Sequence, residues 1–387
     1  MNSIRFICLV PLLAACAAGQ GASRDGGGSP SEDARLETGD TSPDSGERAS
    51  DASDLQPPST SMCKGLRFAK QDYASRTGFN FGDSWMMAWG ADGKTYTNFS
   101  DGKFFENDWQ TNALLTIDDD PPNIKASSFA KVSANPLMRE SSWAYYITNT
   151  IVIQNTLYVA MVDIAPQGLG AHAGGIGRSD DLGKTLVHDR AKPMWPRGGA
   201  KPFVYATFLQ NGRGYSGNSD GFMYVYGTEG DWGGVRGGLN RIRLARVLTT
   251  SDLLDVRNYE YFDGKGWSRD LASAADVLSD GKNLGGMQSV LYNPVLRRYF
   301  LITFAEPESA AARMVVYDAP DPWGPWFQCG VIQGSETVFT QERLFHTAYN
   351  PSFNAKWVTP EGAMWISYSQ YTPQYTFHYG LVTIEPR

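Results

Sequence analysis

Cysteine is scarce in this 387-residue chain, at 4 residues, and histidine equally so. That excludes a disulfide-dense scaffold and leaves no Cys/His spacing suited to a zinc cage. Charged residues make up only 19%, with 34 Lys+Arg against 41 Asp+Glu and a net charge of −7. No basic stripe stands out, so a nucleic-acid partner is excluded. No apolar run is long enough to span a bilayer. The chain has no His-Glu-x-x-His pair, Gly-x-Ser-x-Gly elbow, P-loop or dinucleotide fingerprint, and no cofactor is expected. Helical periodicity is nearly missing; only Asp252–Val256 and Ser268–Leu278 read as short helical connections.

What the chain does have is aromatics, at 13%, together with 41 Gly and 21 Pro. That mixture favours short strands joined by many turns. Two end segments stand apart from it. Met1–Ala15 carries Arg5 and then a short apolar stretch, Phe6–Leu13, the pattern of an export signal. Leu13-Ala14-Ala15-Cys16 has the form of a bacterial lipobox, which would make Cys16 the lipidated first residue of the mature protein. An incidental cysteine after an ordinary cleavage site is the alternative. Residues 16–62 are Gly/Ser/Asp-rich with almost no large apolar side chains, so they read as a disordered acidic tether, and residues 63–387 as the folded domain. With Cys8 and Cys16 set aside, Cys63 and Cys329 remain for one disulfide, or stay as two buried thiols.

Residues 63–387 keep returning to aromatic strands, Gly-rich turns and polar loops, in about five groups of three or four strands. Repeated sheets without αβ alternation predict a five-bladed β-propeller, with a β-sandwich as the rival. The stretch Phe81–Gly102 carries the most chemistry. Ser84–Gly90 and Lys94–Ser100 read as strands around Ala91-Asp92-Gly93, where Gly takes the left-handed position of a three-residue loop. Symmetry about Asp92 places Asp83 opposite Asp101 on one face. Two opposed carboxylates repel, so one holds its proton, the pairing that retaining glycoside hydrolysis uses. A two-residue Asp92-Gly93 loop would instead turn them to opposite faces.

Other candidates are spread along the chain. Trp85, Trp89 and Trp232 are offered as stacking platforms for sugar rings, and His172 and Arg178 as the walls of a Gly-rich pocket segment. Gln288 and His346 each begin a strand group and could face the central channel. Ser179-x-Asp181-x-Gly183-x-Thr185 resembles the Asp-box of sialidase-type propellers, a structural turn.

Several segments resemble, in order, a bacterial family from which endo-D-arabinanases have emerged. They are Gly82-Asp83-Ser84-Trp85, Asp92-Gly93-Lys94-Thr95-Tyr96, Ser100-Asp101-Gly102, Asp220–Gly227, Leu244–Val247, Ser289–Pro294, Tyr317–Pro320, Pro322–Trp326, and Met364-Trp365 with Tyr368-Ser369. The resemblance implies a five-bladed propeller and a retaining mechanism whose two catalytic Asp residues fall on Asp83 and Asp101. The expectation is therefore a lipid-anchored cell-envelope hydrolase of a furanose-rich polysaccharide, of arabinan or D-arabinan type, with no protein partner. The rivals are a non-catalytic carbohydrate-binding or adhesion propeller and a polysaccharide lyase.

Overall fold

The computed structural model describes residues 60–71, 81–103, 110–134, 144–164, 171–188, 193–196, 200–229, 241–279, 284–305, 313–333, 348–370 and 376–387. These form a nearly all-β unit; among them only 3-10 turns interrupt the strands and no α-helix occurs. The signal and tether expectations, with Cys16, lie outside the described residues.

Strand β1 (Cys63–Gln71) comes first. A first meander follows with β2 (Phe81–Asp83), β3 (Met87–Trp89), β4 (Thr95–Lys103), β5 (Gln110–Ile117) and β6 (Phe129–Ala134). The second holds β7 (Ala144–Ile153), β8 (Thr156–Ile164), β9 (Ala171–Ser179) and β10 (Trp195–Pro196). The third holds β11 (Tyr205–Gln210), β12 (Phe222–Thr228), β13 (Ile242–Leu248), β14 (Glu260–Phe262), β15 (Trp267–Ser268) and β16 (Asp276–Leu278). The fourth is β17 (Leu284–Asn293), β18 (Arg298–Ala305), β19 (Arg313–Ala319) and β20 (Phe327–Gln333). The last, β21 (Ala348–Val358), β22 (Met364–Gln370) and β23 (Thr376–Pro386), is completed by β1, which pairs antiparallel with β23. The third and fourth join in one sheet through a short parallel contact, Leu209 with Val290 and Gln210 with Leu291.

The first strand of each meander bonds to that of the next. Thr150 Oγ1 donates to Met86 O at 3.0 Å, linking β7 to the segment leading into β3. Thr148 Oγ1 donates to Ala206 O, and Thr207 Oγ1 to Gln288 O, linking β7, β11 and β17. Phe353 N–H donates to Ser289 Oγ, and Met87 N–H to Ser352 Oγ, so β17, β21 and β3 close the circuit. The strands form as they do because their faces are apolar and β-branched or aromatic, and each sheet buries both faces against its neighbours. Trp195, Phe203, Tyr259 and Tyr261 fill one such interface, and Phe300, Ile302, Phe353 and Ile366 another.

The two expected helical connections are corrected to single 3-10 turns, Val256–Asn258 and Leu271–Ser273. Asp255 and Asp270 each accept a backbone N–H two residues on, which starts a turn, and the chain then returns to the sheet as β14 and β16. Cys63 and Cys329 are joined in a disulfide with Cα atoms 5.1 Å apart, fastening β1 to β20. Beside it, buried Asp318 takes hydrogen bonds from the Arg298 guanidinium, Ser61 Oγ and Met62 N–H.

Candidate active site

The hairpin around Asp92 has the expected inner register. Met87 pairs with Thr97 and Trp89 with Thr95, Gly90 N–H donates to Lys94 O at 2.8 Å, and Gly93 has φ 89°. Asp92 also accepts from Tyr96 Oη at 2.8 Å, and Asp220 from Tyr224 Oη at 2.6 Å. Asp-Gly-x-x-Tyr is thus a repeated turn lock, and Asp92 and Asp220 are structural.

Further out the register departs from expectation. Asp83 pairs with Ser100 rather than Asp101, because the chain breaks out of the strand over Ser84–Met86 before re-entering as β3. Ser84 has φ 61° and Asp101 φ 46°, both left-handed. The break does not part the two acids. Asp83 is half-buried, and its pKa is raised well above 3.8, first by burial and then by the charge of Asp101, against a smaller opposing effect of the Ser84 hydroxyl. Asp83 is thereby held toward its protonated form beside the charge of Asp101.

Ser84 is the hub of this corner. Its N–H donates to Ser369 Oγ at 3.1 Å, and its carbonyl accepts from Asn98 Nδ2 at 2.8 Å. Asn98 Nδ2 also reaches Ile147 O, on β7. Ser84 Oγ accepts from Asn350 Nδ2 at 2.8 Å and faces Asp83 Oδ1 at 3.3 Å and Met287 Sδ at 3.5 Å. Asn350 is left-handed as well, with φ 49°. The other described non-glycine residues with positive φ, Gln154, Leu182, Tyr215 and Arg297, sit in hairpins or turns. Ser84, Asp101 and Asn350 have no hairpin to serve and meet at one place; strain held by surrounding structure collects at functional sites. The starts of the other inner strands arrive at the same end. Tyr146, Tyr205, Met287 and Tyr349 pack in one cluster with Val162, Val204 and Phe304.

The remaining candidates fare differently. Trp85 is fully buried, donates Nε1–H to Gly82 O at 2.7 Å and packs on Phe99, Phe129 and Phe377. It is a core residue, not a stacking platform, because the break at Ser84 turns its side chain inward between the first and last meanders. Trp89 lies at the turn end of β3, away from Asp83. Arg178 lies on the third strand of its meander, exposed and paired with Asp180 at 2.8 Å, so it is not brought to the acids. Gln288 is wholly buried on inner strand β17, and neither side-chain amide atom has a hydrogen-bond partner among the described residues. The His172 side chain, Trp232 and His346 lie outside the described residues. The Asp-box closes as a turn: Asp181 accepts from Thr185 N–H at 2.9 Å and Thr185 Oγ1 at 2.8 Å. Its pKa falls to about 2, chiefly through the Thr185 N–H.

Sequence reasoning gave no role to Ser84, Asn98, Asn350 or Ser369, whose partners lie far along the chain. It also passed over Arg243, a buried guanidinium held between Glu229 at 2.8 Å and Asp276 at 3.1 Å.

Residues 63–376 match the family described as a domain of unknown function, DUF4185. The chain belongs to the DUF4185 family. No curated protein matches it in sequence. Among solved structures it is similar to a Bacteroides ovatus protein carrying a provisional hydrolase designation, with 12% identity, TM-score 0.54, and 79% of this chain and 86% of that one covered. It is also similar to the β-xylosidase RS223, with 12% identity, TM-score 0.50, and 82% and 98% covered. At such identity these likenesses establish a fold alone, the β-propeller, for this DUF4185 member.

Proposed function

We propose that this DUF4185 protein is a glycoside hydrolase that cleaves a furanose-rich polysaccharide, of arabinan or D-arabinan type, by a retaining mechanism. On this reading the five meanders are five propeller blades, and the inner-strand circuit is their axis. The observation that carries the proposal is the meeting of Asp83 and Asp101 where the inner strands begin, with Asp83 held toward its protonated form. Asp101 attacks the anomeric carbon as Asp83 gives its proton to the leaving oxygen, leaving a glycosyl ester on Asp101. Asp83, now ionised, takes a proton from water, whose oxygen attacks the same carbon and frees Asp101. The half-buried Tyr146, packed on the buried Tyr205 and Tyr349, supplies an aromatic surface for a neutral sugar, and net charge −7 disfavours polyanions. We further read the protein as exported and anchored through a lipid on Cys16; the Cys63–Cys329 disulfide suits an oxidising compartment.

Hydrolysis of arabinans, arabinogalactan and other glycans tests the proposal, with Asp83→Asn and Asp101→Asn at matched folding. Either substitution should abolish cleavage. With azide, Asp83→Ala should yield a glycosyl azide of retained configuration and Asp101→Gly one of inverted configuration; the reverse would exchange the two roles. Retention of a glycan without cleavage would make the propeller a binding module. Products absorbing in the ultraviolet would make it a lyase. Cys16→Ser should remove acyl labelling and release the protein from membranes; unchanged membrane retention would refute the anchor.

A further inference from the structure

The Ser84 hydroxyl has one proton and three neighbours. Asn350 Nδ2 donates to it at 2.8 Å, so Oγ is an acceptor on that side and its own proton must point elsewhere. Two acceptors lie within reach, Asp83 Oδ1 at 3.3 Å and Met287 Sδ at 3.5 Å. The carbonyl oxygen of a carboxyl group, protonated or ionised, is a stronger acceptor than a thioether sulfur, so the proton goes to Asp83. Nothing in this arrangement can rotate away easily. The Ser84 backbone is fixed at both its N–H and its carbonyl, by Ser369 and Asn98, in a left-handed conformation that a serine does not adopt unaided. Asn350, the residue that sets the hydroxyl's direction, is itself buried and left-handed.

We propose that Ser84, oriented by Asn350, is a positioning residue that occupies Asp83 Oδ1 and so leaves Oδ2 as the oxygen that carries the transferable proton. This rests on the hydrolase reading above. A carboxyl with both oxygens free can place its proton on either, and only one of them faces the leaving group. A donor fixed on Oδ1 removes the unproductive choice. The same donor stabilises the ionised carboxylate after proton transfer, which is the form that must then activate water. Among the described groups, Asp101 on β4 is the charged neighbour that faces Asp83, and it acts in the opposite sense.

Three variants test this: Ser84→Ala, Asn350→Gly, which suits the left-handed backbone, and the two combined. Asp83 is followed by carboxyl carbon NMR titration, and kcat and KM across pH on whichever glycan the protein cleaves. Ser84→Ala should raise the Asp83 titration midpoint, move the alkaline limb of kcat upward with it, and lower kcat roughly tenfold with KM little changed. Asn350→Gly should shift the midpoint in the same direction by less, and add nothing to Ser84→Ala, since it acts through that hydroxyl. An unmoved Asp83 midpoint in folded Ser84→Ala would overturn the proposal, as would losses that multiply in the double variant. If the wild type cleaves no glycan, the hydrolase reading falls separately, while the titration still reports whether Ser84 holds Asp83.

Discussion

Removing the Cys63–Cys329 disulfide by paired substitution to Ala should cost this protein a large part of its stability. The bond closes a loop of sequence separation 266, which in the unfolded chain forbids a great many conformations. The chain-entropy relation for a loop of that length gives a loss of about 5.6 kcal/mol. Asp318 keeps Arg298 and Ser61 when Cys63 Sγ, 3.6 Å away, is gone, and the two buried sulfurs lost from the core add a packing cost on top. With an unfolding entropy of roughly 2.1 cal/mol/K per residue, the folded domain should melt about 8 °C lower. Differential scanning calorimetry of wild type and Cys63→Ala/Cys329→Ala, with and without reductant, measures it. Native-state hydrogen exchange should show amides of Leu66–Lys70 opening far sooner in the variant, since β1 is then held by β23 and side-chain packing without its covalent tie. Equal melting temperatures within 2 °C or so would refute the reasoning, showing that the closed loop gains nothing over the unfolded ensemble.

Other outcomes follow from single residues. Asp83 is harder to ionise folded than unfolded, so it adds nothing unfavourable below about its ordinary 3.8 and costs stability as pH rises through its folded midpoint; Asp83→Asn should melt higher than wild type at pH 7 and equally at pH 3. Asp181 has the opposite sign: its contribution is present above 3.8 and lost as pH falls toward about 2, and Asp181→Ala should lower the neutral-pH melting temperature while leaving glycan cleavage unchanged. Asp318→Ala strands the buried Arg298 and should cost about 3–5 kcal/mol in chemical denaturation, whereas Asp318→Leu with Arg298→Met should cost much less. Trp85→Ala should lose about 3–5 kcal/mol and leave the KM of whatever folded protein remains unchanged, as fits a core ring rather than a sugar platform.

How much of this was legible in the chain depends on how local the cause is. The β3–β4 hairpin follows from Asp92-Gly93, because glycine alone accepts φ 89° cheaply and the Asp side chain caps Lys94 N–H. The Asp-box is equally self-contained, its hydrogen bonds spanning four residues at most. The pairing of Asp83 could not be read the same way. It shifts by one because Ser84 is left-handed, and what enforces that conformation lies at Asn98, Asn350 and Ser369, up to 285 residues away. Trp85 failed for a different reason: an indole beside an acid has the same composition in a sugar cleft and in a core, and only the break at Ser84 decides between them.

The circuit of inner strands has one joint with backbone pairing among the described residues, between β11 and β17; at the others Ser, Thr and Asn side chains bridge the gap. A ladder of backbone bonds fixes its spacing at a value no substitution changes. A side-chain bridge does not: exchanging Ser289 or Thr150 for Asn lengthens the reach of that bridge while every strand keeps its register. The aperture at which Asp83 and Asp101 stand is therefore heritable in small steps, one side chain at a time. A lineage built on this frame can adjust the spacing of its inner strands around the two acids without first having to refold.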